Sequence, residues 1–152
     1  MEIINNKTIV IKNYNKIDGR NAYESKISDI TIGKPVLEEN KSMDIALQIW
    51  NLDKQLKIEL SIHQVFDVMI FISKTLDYFQ EAYRLPLLYN PDNPILTRIP
   101  LQGDFVDMEI AITNSNINND IQDFMDALAH MGDMNHERLT MIKNILDDLG
   151  YF

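Results

Sequence analysis

The sequence predicts an α+β fold, a mostly antiparallel sheet packed against one long central helix and a C-terminal helical hairpin. Three observations carry this expectation. Short segments of alternating apolar and polar residues recur before Ser61. A long run from Ile62 then repeats its apolar residues at three- and four-residue steps. Two further helical patterns flank Gly132, and the second ends at Gly150. At 152 residues the chain has the length of a single domain, so one α+β domain over 1–152 is expected.

The first strand is expected over Thr8–Lys12, where Ile9 and Ile11 share a face. Asn13–Ser28 is polar, and Asp18-Gly19 is its strongest turn signal. A second short strand fits Asp29–Lys34, and Pro35 confines the residues after it to an edge or a loop. Met43–Asn51 alternates, with Ile45, Leu47 and Ile49 on one face and Asp44, Ala46, Gln48 and Trp50 on the other. Lys57 and Glu59 then alternate with Leu56, Ile58 and Leu60, and Leu52-Asp53-Lys54 fits the hairpin turn between these strands. One apolar face per strand is the pattern of an antiparallel sheet covered on one side.

Ser61 with Gln64 makes a capping box at the start of the long helix. Ile62, Val65, Phe66, Met69, Ile72, Leu76, Phe79 and Tyr83 form its apolar face, which Val68, Phe71, Tyr78 and Ala82 widen. Such a helix is expected to lie between layers and to stop near Leu85, before Pro86. Leu85–Gly103 holds four of the five prolines and reads as a long loop packed on the body. Asp104–Thr113 reads as the last strand, with Val106, Met108, Ile110 and Ile112 inward. Of the two closing helices, the first is expected to bury Ile117, Ile121, Phe124, Met125, Leu128 and Met131. The second is expected to bury Leu139, Ile142, Leu146 and Leu149.

Composition narrows the function classes. The absence of cysteine removes disulfides, thiolate metal sites and cysteine nucleophiles. The formal charge is −9, of which residues 1–85 carry −1 and residues 86–152 carry −8. A chain this acidic gains nothing by neutralising phosphates, which argues against direct nucleic-acid binding and against an anionic membrane surface. The acidic C-terminal half reads as a solubilising face or as the docking face for a basic protein partner. Its aspartates Asp120, Asp123, Asp126, Asp133, Asp147 and Asp148 also resemble the charge pattern of a nucleic-acid mimic. Ile62–Phe79 is broken by His63, Asp67, Lys74 and Asp77 and so is no membrane span. With no basic and apolar leader at Met1–Asn6, a cytoplasmic location is expected.

Candidate chemistry is sparse. His130, Asp133 and His136 have a metal-like spacing, but Gly132 interrupts the helix between them, so no metal site is assigned. His63 and Asp67 are four residues apart and could form an oriented imidazole–carboxylate pair for a hydrolase, or simply a helix-surface pair. No glycine-rich phosphate loop, serine elbow or HExxH is present, so neither a cofactor nor a catalytic residue is assigned. A ligand site is expected where arginines meet aromatics: Arg84, Tyr89 and Arg98 near the proline-rich segment, and Tyr14, Asp18 and Arg20 near Tyr23. The plainer reading of each arginine is that it pins a loop through carboxylates or carbonyls.

The stretches NYNKIDGRNAY, LSIHQVFDVMIFI, LQGD and the closing ERL with ILDDLGY resemble an uncharacterised bacterial family of unknown function. That family pairs a Tyr-x-x-(Val/Ile)-Asp-Gly start with a His-containing helix entry. Where the resemblance implies a basic residue after the entry histidine, this chain has Gln64. The resemblance implies no activity. The residues then favour a protein-interaction or binding module, self-associating through an exposed strand or the proline-rich segment. A small-molecule or anion-binding domain built on the arginine and tyrosine residues is the alternative, and a hydrolase built on His63 and Asp67 ranks below it.

Overall fold

A computed structural model of the chain describes residues 8–14, 26–33, 45–51, 53 and 55–150. The chain divides into two compact units, Met1–Ser73 and Lys74–Phe152. Strands and helices are both present, so the class is α+β.

The first unit is built on a four-stranded antiparallel sheet in the order β1-β2-β3-β4, with β1 Thr8–Asn13, β2 Ile27–Gly33, β3 Ala46–Asn51 and β4 Leu56–Ser61. Consecutive strands are neighbours, the commonest arrangement in sheets. The register is interrupted three times: between Thr8 and Val10, between Ile27 and Asp29, and between Ile49 and Trp50. Bulges of this kind bend a strand and re-aim its side chains.

The sheet buries the face opposite to the expected one. Ala46 and Trp50 are buried, together with Asp29 and Thr31 on β2, while Ile32, Ile45 and Ile58 are exposed. The physical reason is that the polar groups of this face bond one another. The Trp50 indole N–H donates to Thr31 Oγ1, Thr31 donates to Gln48 Oε1, and Gln48 Nε2 donates to Glu59 Oε2. Alternation reveals that a strand has two kinds of face, but not which face is covered. A satisfied polar face can be buried at little cost.

Helix α1, Ile62–Glu81, follows β4 directly and ends in a 3-10 turn, Ala82–Arg84. The expected capping box is present: Ser61 N–H donates to Gln64 Oε1 at 3.0 Å, and Gln64 N–H donates to Ser61 Oγ at 3.3 Å. Pro86 lies just beyond the last helical bond, from Leu85 N–H to Ala82 O. The expectation that α1 is covered on most sides fails, because Phe79 is its one buried residue. Phe66, Val68, Met69, Phe71 and Ile72 are exposed. Amphipathic width predicted layers on both sides, whereas the buried residue, Phe79, lies in the part of the helix that belongs to the second unit.

The second unit adds a two-stranded antiparallel hairpin, β5 Ile95–Leu101 and β6 Asp104–Glu109, and helices α2 Ile117–His130 and α3 Gly132–Leu149. The proline-rich segment is therefore not loop throughout, since its second half is β5. Pro100 is tolerated because each strand of a two-stranded sheet keeps one unpaired edge. Gln102 and Gly103 both have positive φ, 54° and 81°, the backbone of a type I′ hairpin turn.

The core of this unit is Phe79, Ala82, Tyr89, Ile110 and Ile121, joined by Tyr78, Leu88, Leu96, Ile117, Met125 and Leu128. The Phe79 ring meets Tyr78 and Phe124 edge to face, each at 5.0 Å between centroids. Met108 is also buried, whereas Val106 and Ile112, expected inward, are exposed. Helices α1 and α2 supply the helical part of the core and α3 has no buried residue, contrary to the expected burial of Leu139, Ile142 and Leu149, which are exposed. Gly150 caps α3 at φ 76°, the left-handed conformation expected for it. Among the described residues, no helix is long and apolar enough to cross a membrane.

Candidate functional site

The end of the sheet where β2 begins and β3 ends carries two of the three register shifts. Local hydrogen bonds hold that end in shape. Asn51 Oδ1 accepts the N–H groups of Asp53 and Gln55 at 3.1 and 3.0 Å, and Asn51 N–H donates to Gln55 O at 3.0 Å. An Asx turn of this kind closes the β3–β4 hairpin without needing glycine. Across the strands, Ser28 Oγ donates to Asn51 O at 2.6 Å, and Ser28 itself is buried. The distorted pairing is thus tied from both sides.

Beside it lies a recess of about 350 Å³ lined by Lys26, Ile27, Trp50, Asn51, Asp53 and Lys57. Ile27 and the visible edge of Trp50 give it an apolar wall, while Lys26, Lys57 and Asp53 bring charge. Neither lysine has an ion-pair partner among the described residues. Among the described lining residues, two ammonium groups and one carboxylate leave an excess of one positive charge around an apolar wall. The lining chemistry fits a small ligand that is apolar at one end and anionic at the other.

Of the residues singled out from the sequence, Arg98, Arg84 and Tyr89 each meet a different partner. Arg98 Nε donates to Asp107 Oδ1 at 2.7 Å and its Nη2 to Asp107 Oδ2 at 3.0 Å, a bidentate pair across the β5–β6 hairpin. Those bonds hold the Asp107 carboxyl below its ordinary range and raise the Arg98 guanidinium. Arg98 also lies over the Phe105 ring, 5.4 Å from its centroid. Arg84 pairs with Glu81 at 3.5 Å and lies 5.9 Å from the centroid of Tyr83. Tyr89 is a core residue whose hydroxyl donates to Asn118 Oδ1 at 3.2 Å. Each of the three is thus occupied with a partner of its own. Tyr14 follows β1 and is half-buried. Asp18, Arg20 and Tyr23, like the turn at Gly19 and Pro35, lie outside the described residues.

A second recess, of about 340 Å³, lies in the second unit between the end of α1 and the proline-rich segment. Lys74, Asp77, Tyr78, Glu81, Leu96 and Thr97 are among its lining residues, and Arg84, Tyr89 and Arg98 are not. The Tyr78 hydroxyl donates to Leu88 O at 3.1 Å, and partial burial pushes its ionisation above the ordinary 10.0. Among the described residues, no group of three or more histidine, aspartate or glutamate side chains could hold a metal ion.

Sequence reasoning missed Trp50 and its two lysines as a site. The available signal was a lone tryptophan beside an Asn turn, with one lysine just before β2 and another on β4. The register shifts beside the recess arise from cross-strand pairing and have no local signature.

The family comparison agrees with the resemblance read from the motifs. A family of unknown function, DUF6530, matches residues 3–151. The chain belongs to that family. No curated protein and no solved structure matches it. Membership in DUF6530 brings no substrate or partner with it, so the functional reading rests on the residues.

Proposed function

We propose that this DUF6530 chain is a binding module that pairs with a second copy of itself through the outer edge of β1. The observation that carries the reading is the exposure of that edge: Ile9, Val10 and Ile11 are 73%, 52% and 39% exposed. Natural edge strands are usually guarded by charge, proline or a covering element. The other edge, β4, alternates Lys57 and Glu59 with its apolar residues, whereas β1 puts three successive β-branched residues at its centre.

Charge favours the same choice. Residues 74–152 carry a net −8 and repel their own kind, whereas residues 1–73 carry only −1. An antiparallel pair of β1 edges about a two-fold axis at Val10 sets Ile9 opposite Ile11 and Thr8 opposite Lys12. No like charges face one another in that register. Two four-stranded sheets then become one continuous sheet.

Light scattering after size exclusion tests this with the wild type and Val10→Lys. The substitution sets two lysines face to face at the axis, while Val10 is exposed enough to accept one in the monomer. The expected result is a wild-type dimer and a Val10→Lys monomer with an unchanged circular dichroism spectrum. A wild type that stays monomeric as concentration rises, or a Val10→Lys variant that stays dimeric, would overturn the proposal.

A further inference from the structure

We infer that the recess beside Trp50 is a binding site for a small monoanionic acid with an apolar body, such as a medium-chain carboxylate. Its residues are separate from the β1 edge, so the two readings stand or fall independently.

Four features converge on this ligand class. The volume, about 350 Å³, falls in the range of small-molecule sites, which begins at roughly 300 Å³. Ile27 and Trp50 offer the apolar wall against which a hydrocarbon body is buried. Lys26, just before β2, and Lys57, on β4, both line the recess, and neither is held by a carboxylate of the described residues. Asp53 offsets one of their charges, so the described lining residues carry a net charge of +1 and complement one negative charge better than two.

The scaffold beneath the recess is held in place before any ligand arrives. Trp50 is 6% exposed and its indole N–H is fixed by Thr31, so the ring keeps one orientation. The Asn51 carboxamide closes the adjoining turn, and Ser28 fastens β2 to the end of β3. A wall already ordered in the free protein loses little entropy on binding. Lysine ammonium groups act as mobile point charges, so selection is for charge and apolar bulk more than for the shape of the acid group.

The test uses octanoate as the probe and octanamide as its uncharged counterpart. Trp50 is the only tryptophan in the chain, so its emission reports on the recess directly. Octanoate is expected to produce a saturable change in that emission. Octanamide, and octanoate with the double variant Lys26→Gln/Lys57→Gln, are each expected to bind at least tenfold more weakly. A thermal melt of the double variant matching the wild type shows that the loss belongs to the site and not to the fold. An emission unresponsive to octanoate, equal binding of octanamide, or wild-type affinity in the double variant would each overturn the inference. Should the double variant melt early, the single variants Lys26→Gln and Lys57→Gln, each expected to weaken binding, decide the question.

Discussion

The indole N–H of Trp50 on β3 donates to Thr31 Oγ1 on β2 at 3.0 Å, and the same hydroxyl donates onward to Gln48 Oε1 at 3.1 Å. Thr31 is 1% exposed, so a single buried hydroxyl satisfies the indole and links two strands. Thr31→Val keeps the shape and removes both bonds, leaving a buried N–H unpaired at a cost of about 1–3 kcal/mol. Thr31→Ser keeps the hydroxyl and is expected to lose less. Urea unfolding followed by Trp50 emission checks this, through a lower midpoint in the valine variant than in the serine variant.

Arg98 and Asp107 make the hairpin of the second unit sensitive to acid. The Arg98 hydrogen bonds lower the Asp107 carboxyl below its ordinary 3.8. The unfolded chain therefore takes up this proton at a higher pH than the folded chain does. The stabilisation is complete above the ordinary value and is lost as pH falls through the lowered one. Asp107→Asn is expected to flatten that part of the stability profile, matching the wild type in acid and falling slightly below it at neutral pH, a small difference as suits a solvent-exposed pair. Thermal melts of both proteins in an acid pH series check it.

Tyr78 gives the opposite limb. Burial raises its ionisation above 10.0, so the unfolded chain loses this proton first as pH rises. Its contribution is complete below the ordinary value and disappears as pH rises through the raised one. Tyr78→Phe removes that alkaline dependence. It also removes the bond to Leu88 O, at a cost of about 0.5–1.5 kcal/mol at neutral pH. Denaturant titrations at neutral and alkaline pH separate the two effects.

The β5–β6 turn offers a test of backbone strain. Gly103 sits at φ 81° with open space where a Cβ would project, so Gly103→Ala meets no neighbour and suffers only from its backbone. The expected loss is about 1–2 kcal/mol, because an alanine there is forced into the left-handed region. Gln102, at φ 54°, is a poorer resident than asparagine, so Gln102→Asn is expected to raise the melting temperature. Melting curves for both variants check the two signs.

Much of this architecture was legible in the sequence wherever the signal was local. Ser61 and Gln64 announced the start of α1, Pro86 its end, and Gly150 the end of α3, because caps depend on residues a few positions apart. The alternation of β3 and β4 was legible for the same reason. The hidden features depended on partners distant in sequence. Trp50 was counted with the polar face, yet Thr31, 19 residues away, satisfies its indole and lets that face be buried. The prolines of the segment after α1 concealed β5, since proline excludes a central strand but not a two-stranded hairpin. For the candidate site, arginine beside aromatic was a sound chemical guide, but Asp107, Glu81 and Asn118 supply partners for Arg98, Arg84 and Tyr89. The recess at Trp50 is lined by residues of β2, β3 and β4 and their flanks, a meeting that no single strand reveals.

Amide hydrogen exchange at low and high protein concentration is the sharpest test of pairing between two copies along β1. Pairing requires that Thr8–Asn13 gain protection as concentration rises, while the already paired amides of β3 keep theirs. Protection of β1 that is independent of concentration, or a dimer whose β1 amides stay unprotected, would contradict it.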